Sequence, residues 1–101
     1  EIEALWEEAK SLLPEELQAL ADELKRLKVA IDLNNIGFEF IGPDGEITST
    51  FELYWPDQKV AVLYEPIAAP GNITALDASI PAHELAMAIK ETLTNNTRSQ
   101  E

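Results

Sequence analysis

The chain has 101 residues, 46% of them apolar, which suits one domain with a modest core and excludes a disordered chain. Nineteen acids against seven bases give a net charge of −12, so direct nucleic-acid binding is expected to be weak and the expected partner is a protein. Cysteine is absent, which excludes disulfides, thiolate catalysis and cysteine-based zinc or iron–sulfur sites and fits a cytoplasmic, reducing compartment.

No window approaches the ~20 apolar residues of a membrane span, so no membrane association is expected. No basic segment followed by an apolar run reads as a signal peptide. The chain begins at Glu1 rather than Met, as a piece of a longer protein would. It reads as a single domain, 1–101: a helical pair over 1–28, a β-meander over 36–64, a strand and helix over 72–93 and a flexible polar tail over 94–101.

In the first helix, over 3–12, Leu5, Ala9 and Leu12 follow the rhythm of one buried stripe, with Trp6 beside it. Pro14 interrupts and opens a second helix over 14–28, where a missing N–H costs nothing. Glu15 and Glu16 complement the positive end of that helix dipole. Leu17, Leu20, Ala21, Leu24 and Leu27 form its apolar face, and Lys25, Arg26 and Lys28 stand in its last turn as dipole partners.

After a polar connector over 32–35 the period changes from helical to alternating. Phe38 and Phe40 share one side of a strand, and Gly42-Pro43-Asp44-Gly45 makes a tight turn. Ile47, Ser49, Phe51, Leu53 and Trp55 then alternate with Thr48, Thr50, Glu52 and Tyr54, which reads as a hairpin. A turn over 55–58 leads to the continuous apolar run 60–64, the pattern of a strand covered on both faces. Residues 73–76 are a candidate fourth strand. Ser79 as N-cap and Pro81 in the first turn announce a last helix with Leu85, Ile89 and Leu93 on its buried stripe. The fold class is therefore α+β: two N-terminal helices, a three-stranded antiparallel meander, a candidate fourth strand and a C-terminal helix.

Few residues offer chemistry. His83 is the only histidine, in a first helical turn where a cation is disfavoured. The glycines at 42 and 45 are used by the hairpin turn, so no phosphate-binding loop remains. Carboxylates are left. Glu39 and Glu52 lie on neighbouring strands of the hairpin. With the turn centred between Pro43 and Asp44, Glu39 falls opposite Thr48 and Glu52 lies about 13 Å further along. A carboxylate here, with an acid from the third strand and Lys59 nearby, suits Mg²⁺ through oxygen ligands. The alternative is that Glu39 and Glu52 are simply the solvent side of an amphipathic hairpin.

The segments Ile36-Gly37-Phe38-Glu39-Phe40, Asp44-Gly45-Glu46-Ile47 and Phe51-Glu52-Leu53-Tyr54-Trp55-Pro56-Asp57-Gln58-Lys59-Val60-Ala61-Val62-Leu63 carry a resemblance. They resemble a restriction-endonuclease-like domain of the PD-(D/E)XK superfamily, found near the C-terminal ends of large bacterial helicase-type proteins. The resemblance covers most of the chain and is specific over about residues 36–63. It implies a reduced restriction-endonuclease-like fold and, in active relatives, two acids on the second and third strands with a nearby lysine. Those groups hold a Mg²⁺ or Mn²⁺ ion against a phosphodiester. On that pattern Glu52 is the first acid, Glu65 and Lys59 complete a catalytic set, and Glu52, Glu65 and Glu39 are the candidate metal ligands. Leu63, however, stands where the second acid belongs, which implies a degenerate nuclease with no cofactor.

The family also places a helix between the third and fourth strands. Only residues 66–70 lie there in this sequence, short of the dozen or so a parallel crossover takes, so either the last strand pairs differently or a helix is lost. Three readings follow. The leading one is a non-catalytic nuclease-like domain with a structural or protein-interaction role, associated with a helicase-type nucleic-acid-processing protein. The others are a weak Mg-dependent nuclease and an acidic inhibitor that mimics DNA.

Overall fold

The computed structural model describes residues 1–99, with side chains through residue 97. It is α+β, with two N-terminal helices, a two-stranded and a three-stranded sheet, and a C-terminal helix.

The first helix, α1, is Ile2–Leu12. Its buried residues are Trp6 and Ala9, with Leu13 following, so the inward stripe is shifted by one residue from the Leu5–Ala9–Leu12 expectation. Leu12 is 56% exposed and Trp6 fully enclosed. The indole decides this. It is the largest apolar surface on the helix, and its N–H donates to the Val29 carbonyl.

Pro14 does not open an α-helix directly. A 3₁₀ turn, Glu15–Leu17, precedes α2, Gln18–Arg26. Two hydrogen bonds end α2, from Lys28 N–H to the Lys25 carbonyl (3.0 Å) and from Val29 N–H to the Leu24 carbonyl (3.1 Å). That is the Schellman pattern, and it puts Lys28 in the left-handed region at φ 59°. Lys28 is thus the residue just past the helix rather than part of its last turn. Lys10–Asp22 (2.9 Å) and Lys25–Glu7 (2.6 Å) clamp α1 to α2.

Strands β1, Phe38–Ile41, and β2, Ile47–Phe51, form an antiparallel hairpin. Gly45 supplies the positive φ of 84° that closes the turn, with its N–H on the Gly42 carbonyl. Strand β3, Leu53–Trp55, pairs antiparallel with β4, Val60–Leu63. Strand β5, Thr74–Asp77, pairs parallel with β4 and is the fourth strand proper in sequence reasoning. The ten residues 64–73, containing the 3₁₀ turn Pro66–Ala68, make that parallel connection. Of the two alternatives, a different pairing or a missing helix, the second is the one seen: the connection is parallel and carries a 3₁₀ turn and no α-helix.

The strand expected over 47–55 is interrupted at Glu52. Glu52 N–H donates to the Val62 carbonyl (2.8 Å), and Leu53 is also paired with Val62. Two residues opposite one is a β-bulge. It slips the alternation by one: Phe51 faces the outer cluster with Ala61 and Leu63, whereas Leu53 and Trp55 face the helices. The uninterrupted alternation from Ile47 to Trp55 does not hold across that point.

Two cores result, one on each face. The inner one packs Leu53, Trp55, Val60 and Val62 against Trp6, Leu20, Leu24, Leu85 and Ile89. The outer one gathers Phe38, Phe40 and Tyr54 around Phe51, with ring centroids 5.0–6.1 Å apart. β4 is buried at every position, as its apolar run predicts.

The last helix, α3, is Ala82–Ser99. Ser79 does not cap it. Its hydroxyl and N–H both donate to the Asp77 carboxylate, two residues back, in an Asx turn. The helix also runs past residue 93 through most of the segment read as a tail. Asn96 donates to the Gln58 carbonyl (2.9 Å) and Gln58 to the Thr97 hydroxyl (3.2 Å), which tie its end to the turn before β4. Residues 100 and 101 of that segment lie outside the described residues. No helix among the described residues is long and apolar enough to cross a membrane.

Candidate functional site

The bulge at Glu52 opens the sheet. Up to Phe51 the strand pairs with β1, and from Leu53 it pairs with β4. Between β2 and the chain leaving β4, residues 63–68, the two sheets part and leave a groove of 290 Å³. Ser49, Thr50, Glu52, Leu63, Tyr64 and Glu65 are among its walls.

Of the four residues singled out by sequence, the groove gathers two. Glu52 is half-buried at the bulge. Glu65 lies beyond the end of β4, as the residue before the 3₁₀ turn, and is exposed. Glu39 is exposed on β1, opposite Thr50 rather than Thr48: the turn centres on Asp44, which sets Ile41 rather than Phe40 opposite Ile47, and a register shift at Phe40/Ile41 adds a second residue. Glu52 is then only two residues past its partner position, a diagonal of about 7–8 Å rather than 13 Å. Lys59 is not brought to the site. It precedes β4 while Glu65 follows it, about 20 Å apart along the strand. Its backbone is left-handed, φ 59°, and its role is to close the turn over 56–59.

The electrostatics add a residue that sequence reasoning assigned elsewhere. Glu16, read as a dipole partner, accepts a hydrogen bond from the Tyr64 hydroxyl (3.1 Å). Burial pushes the Glu52 carboxyl above its usual range, and the Glu16 charge adds to the push. The Tyr64 phenol is pushed up to about 12 by burial, by its bond to Glu16, and by the charges of Glu16 and Glu52. No pattern links residue 16 to residues 52 and 64; only the tertiary contact of Glu16 with Tyr64 does.

Among the described residues no Lys or Arg stands in the walls of this groove. Three of the seven bases are committed elsewhere: Lys10, Lys25 and Arg26 pair with acids of the helices. His83 Nδ1 lies 3.0 Å from Glu23 Oε1, so the histidine joins α3 to α2 as an exposed pair. Two charge-assisted bonds, from Arg26 and from His83, hold the Glu23 carboxyl below its usual range.

Among the described residues no group of three or more His, Cys, Asp or Glu side chains gathers as a metal site. Glu52 and Glu65 flank the groove, and the residue between them on β4 is Leu63. Leu63 is 1% exposed and packs with Phe51 and Ala61.

A second cleft, of 430 Å³, lies between residues 29–30, Trp55 and α3. Its polar groups are used by the fold itself. Trp55 Nε1 donates to the Ala30 carbonyl (2.7 Å), Lys90 Nζ to the Leu27 carbonyl (2.9 Å), and Gln58 to Thr97. It is a packing seam rather than a set of groups awaiting a ligand.

No family model, curated protein or solved structure matches the chain.

Proposed function

We propose that this chain is a non-catalytic, nuclease-like domain whose role is protein contact, associated with a helicase-type nucleic-acid-processing protein. One observation carries the reading. The position where the resemblance calls for a metal-binding acid is Leu63, and that side chain is enclosed in the outer aromatic core. A carboxylate there would be unpaired and desolvated, which supports a packing role rather than a metal-binding one for this position. The parallel pairing of β4 with β5 supports the restriction-endonuclease-like scaffold, with a 3₁₀ turn in place of the helix. Lys59, remote from the groove and engaged in a turn, removes the third member of a catalytic set. The net charge of −12 disfavours approach to a phosphate backbone and favours a basic protein surface.

Titration of Mn²⁺, followed by NMR line broadening in the protein and in Glu52→Ala, tests this, together with an assay for nicking of supercoiled DNA. The expected result is weak, diffuse broadening over the acidic surface, unchanged in the variant, with no nicking. Broadening centred on Glu52 and Glu65, lost in Glu52→Ala and accompanied by nicking, restores the weak-nuclease reading.

A further inference from the structure

The geometry points to the groove beside β2 as a docking site for an extended peptide strand that alternates basic and apolar residues. This rests on the protein-contact reading above and names the chemistry of the partner.

Four observations converge. First, β2 has a strand neighbour on one side only; beyond the bulge β4 no longer pairs with it. Alternate residues of β2 therefore direct N–H and C=O groups toward the groove without a ladder partner, which is the template an added strand uses.

Second, Ser49 lines this groove and is 8% exposed, and its hydroxyl has no hydrogen-bond partner among the described residues. A buried hydroxyl left unpaired costs stability. A strand laid along β2 brings backbone groups to that position. Third, the groove wall carries exposed apolar surface, Ile47 on β2 and Tyr64 after β4, and Ile67, 97% exposed, is the neighbour in sequence of the wall residue Ala68. Apolar surface rimmed by charge marks a contact site. Fourth, the charges are all of one sign. Glu52 and Glu65 stand on the walls, Glu16 joins through Tyr64, and no base lines the groove. Glu52 is already held above its usual pKa range by burial and by Glu16, so a cationic side chain placed there relieves an existing repulsion.

The pattern of the occupant follows from strand alternation. Side chains on one face of the added strand meet Ile47 and Ala68, and those on the other meet Glu52 and Tyr64. An alternating apolar and basic sequence satisfies both.

The probe is a labelled peptide of about seven residues, alternating Lys and Val, long enough to run the length of β2. Binding is read by amide chemical shifts and by fluorescence anisotropy. The expected result is shifts confined to residues 47–52 and 63–68. Affinity is expected to fall roughly fivefold or more in Glu52→Gln/Glu65→Gln. A peptide of the same charge with alternate backbone nitrogens methylated should bind at least about tenfold more weakly, because it cannot form the ladder. Ser49→Ala should raise the stability of the free domain and weaken peptide binding.

Equal binding by the methylated peptide, or shifts scattered over all the acids, overturns the inference and leaves only general charge attraction. Absence of binding by the folded protein overturns it as well, while the protein-contact reading stands on another surface. Mn²⁺ focused in the groove with DNA nicking overturns that reading itself.

Discussion

Replacing Leu63 tests both the packing and the proposal that this position does not serve a metal. Leu63 is 1% exposed within the outer cluster. Leu63→Ala removes buried methyls and leaves a cavity, a cost of about 2–5 kcal/mol. A domain of this size has about 5–15 kcal/mol to lose, so the variant stays largely folded, with a Tm lower by about 10–30 °C. Leu63→Asp adds an unpaired carboxylate to the same cavity and should cost more than Leu63→Ala at neutral pH. Its carboxyl, if buried, has a raised folded-state pKa. The stability that Leu63→Asp retains is then fully present below about pH 3.9, the unfolded value, and is lost as pH rises through the folded value. Thermal and urea unfolding of wild type, Leu63→Ala and Leu63→Asp, each compared at the same pH, reads both effects. A Leu63→Asp protein as stable as wild type at pH 7 that also binds Mn²⁺ in the groove would refute the reasoning, because the position would then tolerate the acid.

Further outcomes follow from single residues. Glu52→Gln should be more stable than wild type at neutral pH, because the wild-type carboxyl is held above its ordinary value of 4.5. The gap should close as pH falls through that raised value and vanish below 4.5, as read by unfolding curves across pH. Lys59→Gly should stabilise the fold by roughly 1 kcal/mol, since φ is 59° there, and should leave any activity unchanged; a loss of stability would mean that the ammonium has a structural partner. Trp55→Phe should cost about 1–3 kcal/mol, because it strands the Ala30 carbonyl that the indole N–H satisfies at 2.7 Å, a loss measurable by chemical denaturation.

The fold class was legible because the patterns that set it are local. The apolar run read over 60–64 is a buried strand over 60–63, with Tyr64 exposed beyond it, and the turn falls at 42–45 as read but centres on Asp44. What escaped was set by competition between alternative partners, some distant and some adjacent. The indole of Trp6 wins the inward position over Leu12 only because the Val29 carbonyl, 23 residues on, waits for it. Ser79 has the chemistry of a cap, but Asp77 is two residues away and takes both its donors. At the candidate site, the acids of residues 52 and 65 were visible as strand-borne carboxylates. The contribution of Glu16 was not, since its position after Pro14 already had a sufficient local explanation. Glu39 was misplaced by two residues, one because the turn centres on Asp44 rather than between Pro43 and Asp44, and one because the shift at Phe40/Ile41 leaves no trace in alternation.

The bulge is the feature on which the site depends, and its signature is testable by length. Ser49 and Phe51 face outward, Leu53 and Trp55 inward, and Tyr54 outward again. With Glu52 removed, Phe51 and Leu53 become neighbours on opposite faces, and the alternation through 55 becomes regular. Deleting Glu52 therefore moves no side chain to the wrong face. It joins β2 to β3 as one strand, lets β4 pair with the whole of it, and closes the groove. Deleting Thr50 instead turns Ser49 and every residue before it to the opposite face of the hairpin, because a one-residue slip inverts the pattern. The first variant should remain cooperatively folded, within roughly 2 kcal/mol of wild type, and lose peptide binding. The second should lose the hairpin, along with Phe38 and Phe40 from the outer cluster. Near-ultraviolet circular dichroism of the aromatic cluster and unfolding curves separate the two. Equal damage from both deletions would mean that Glu52 is an ordinary strand residue, and that the groove has another cause.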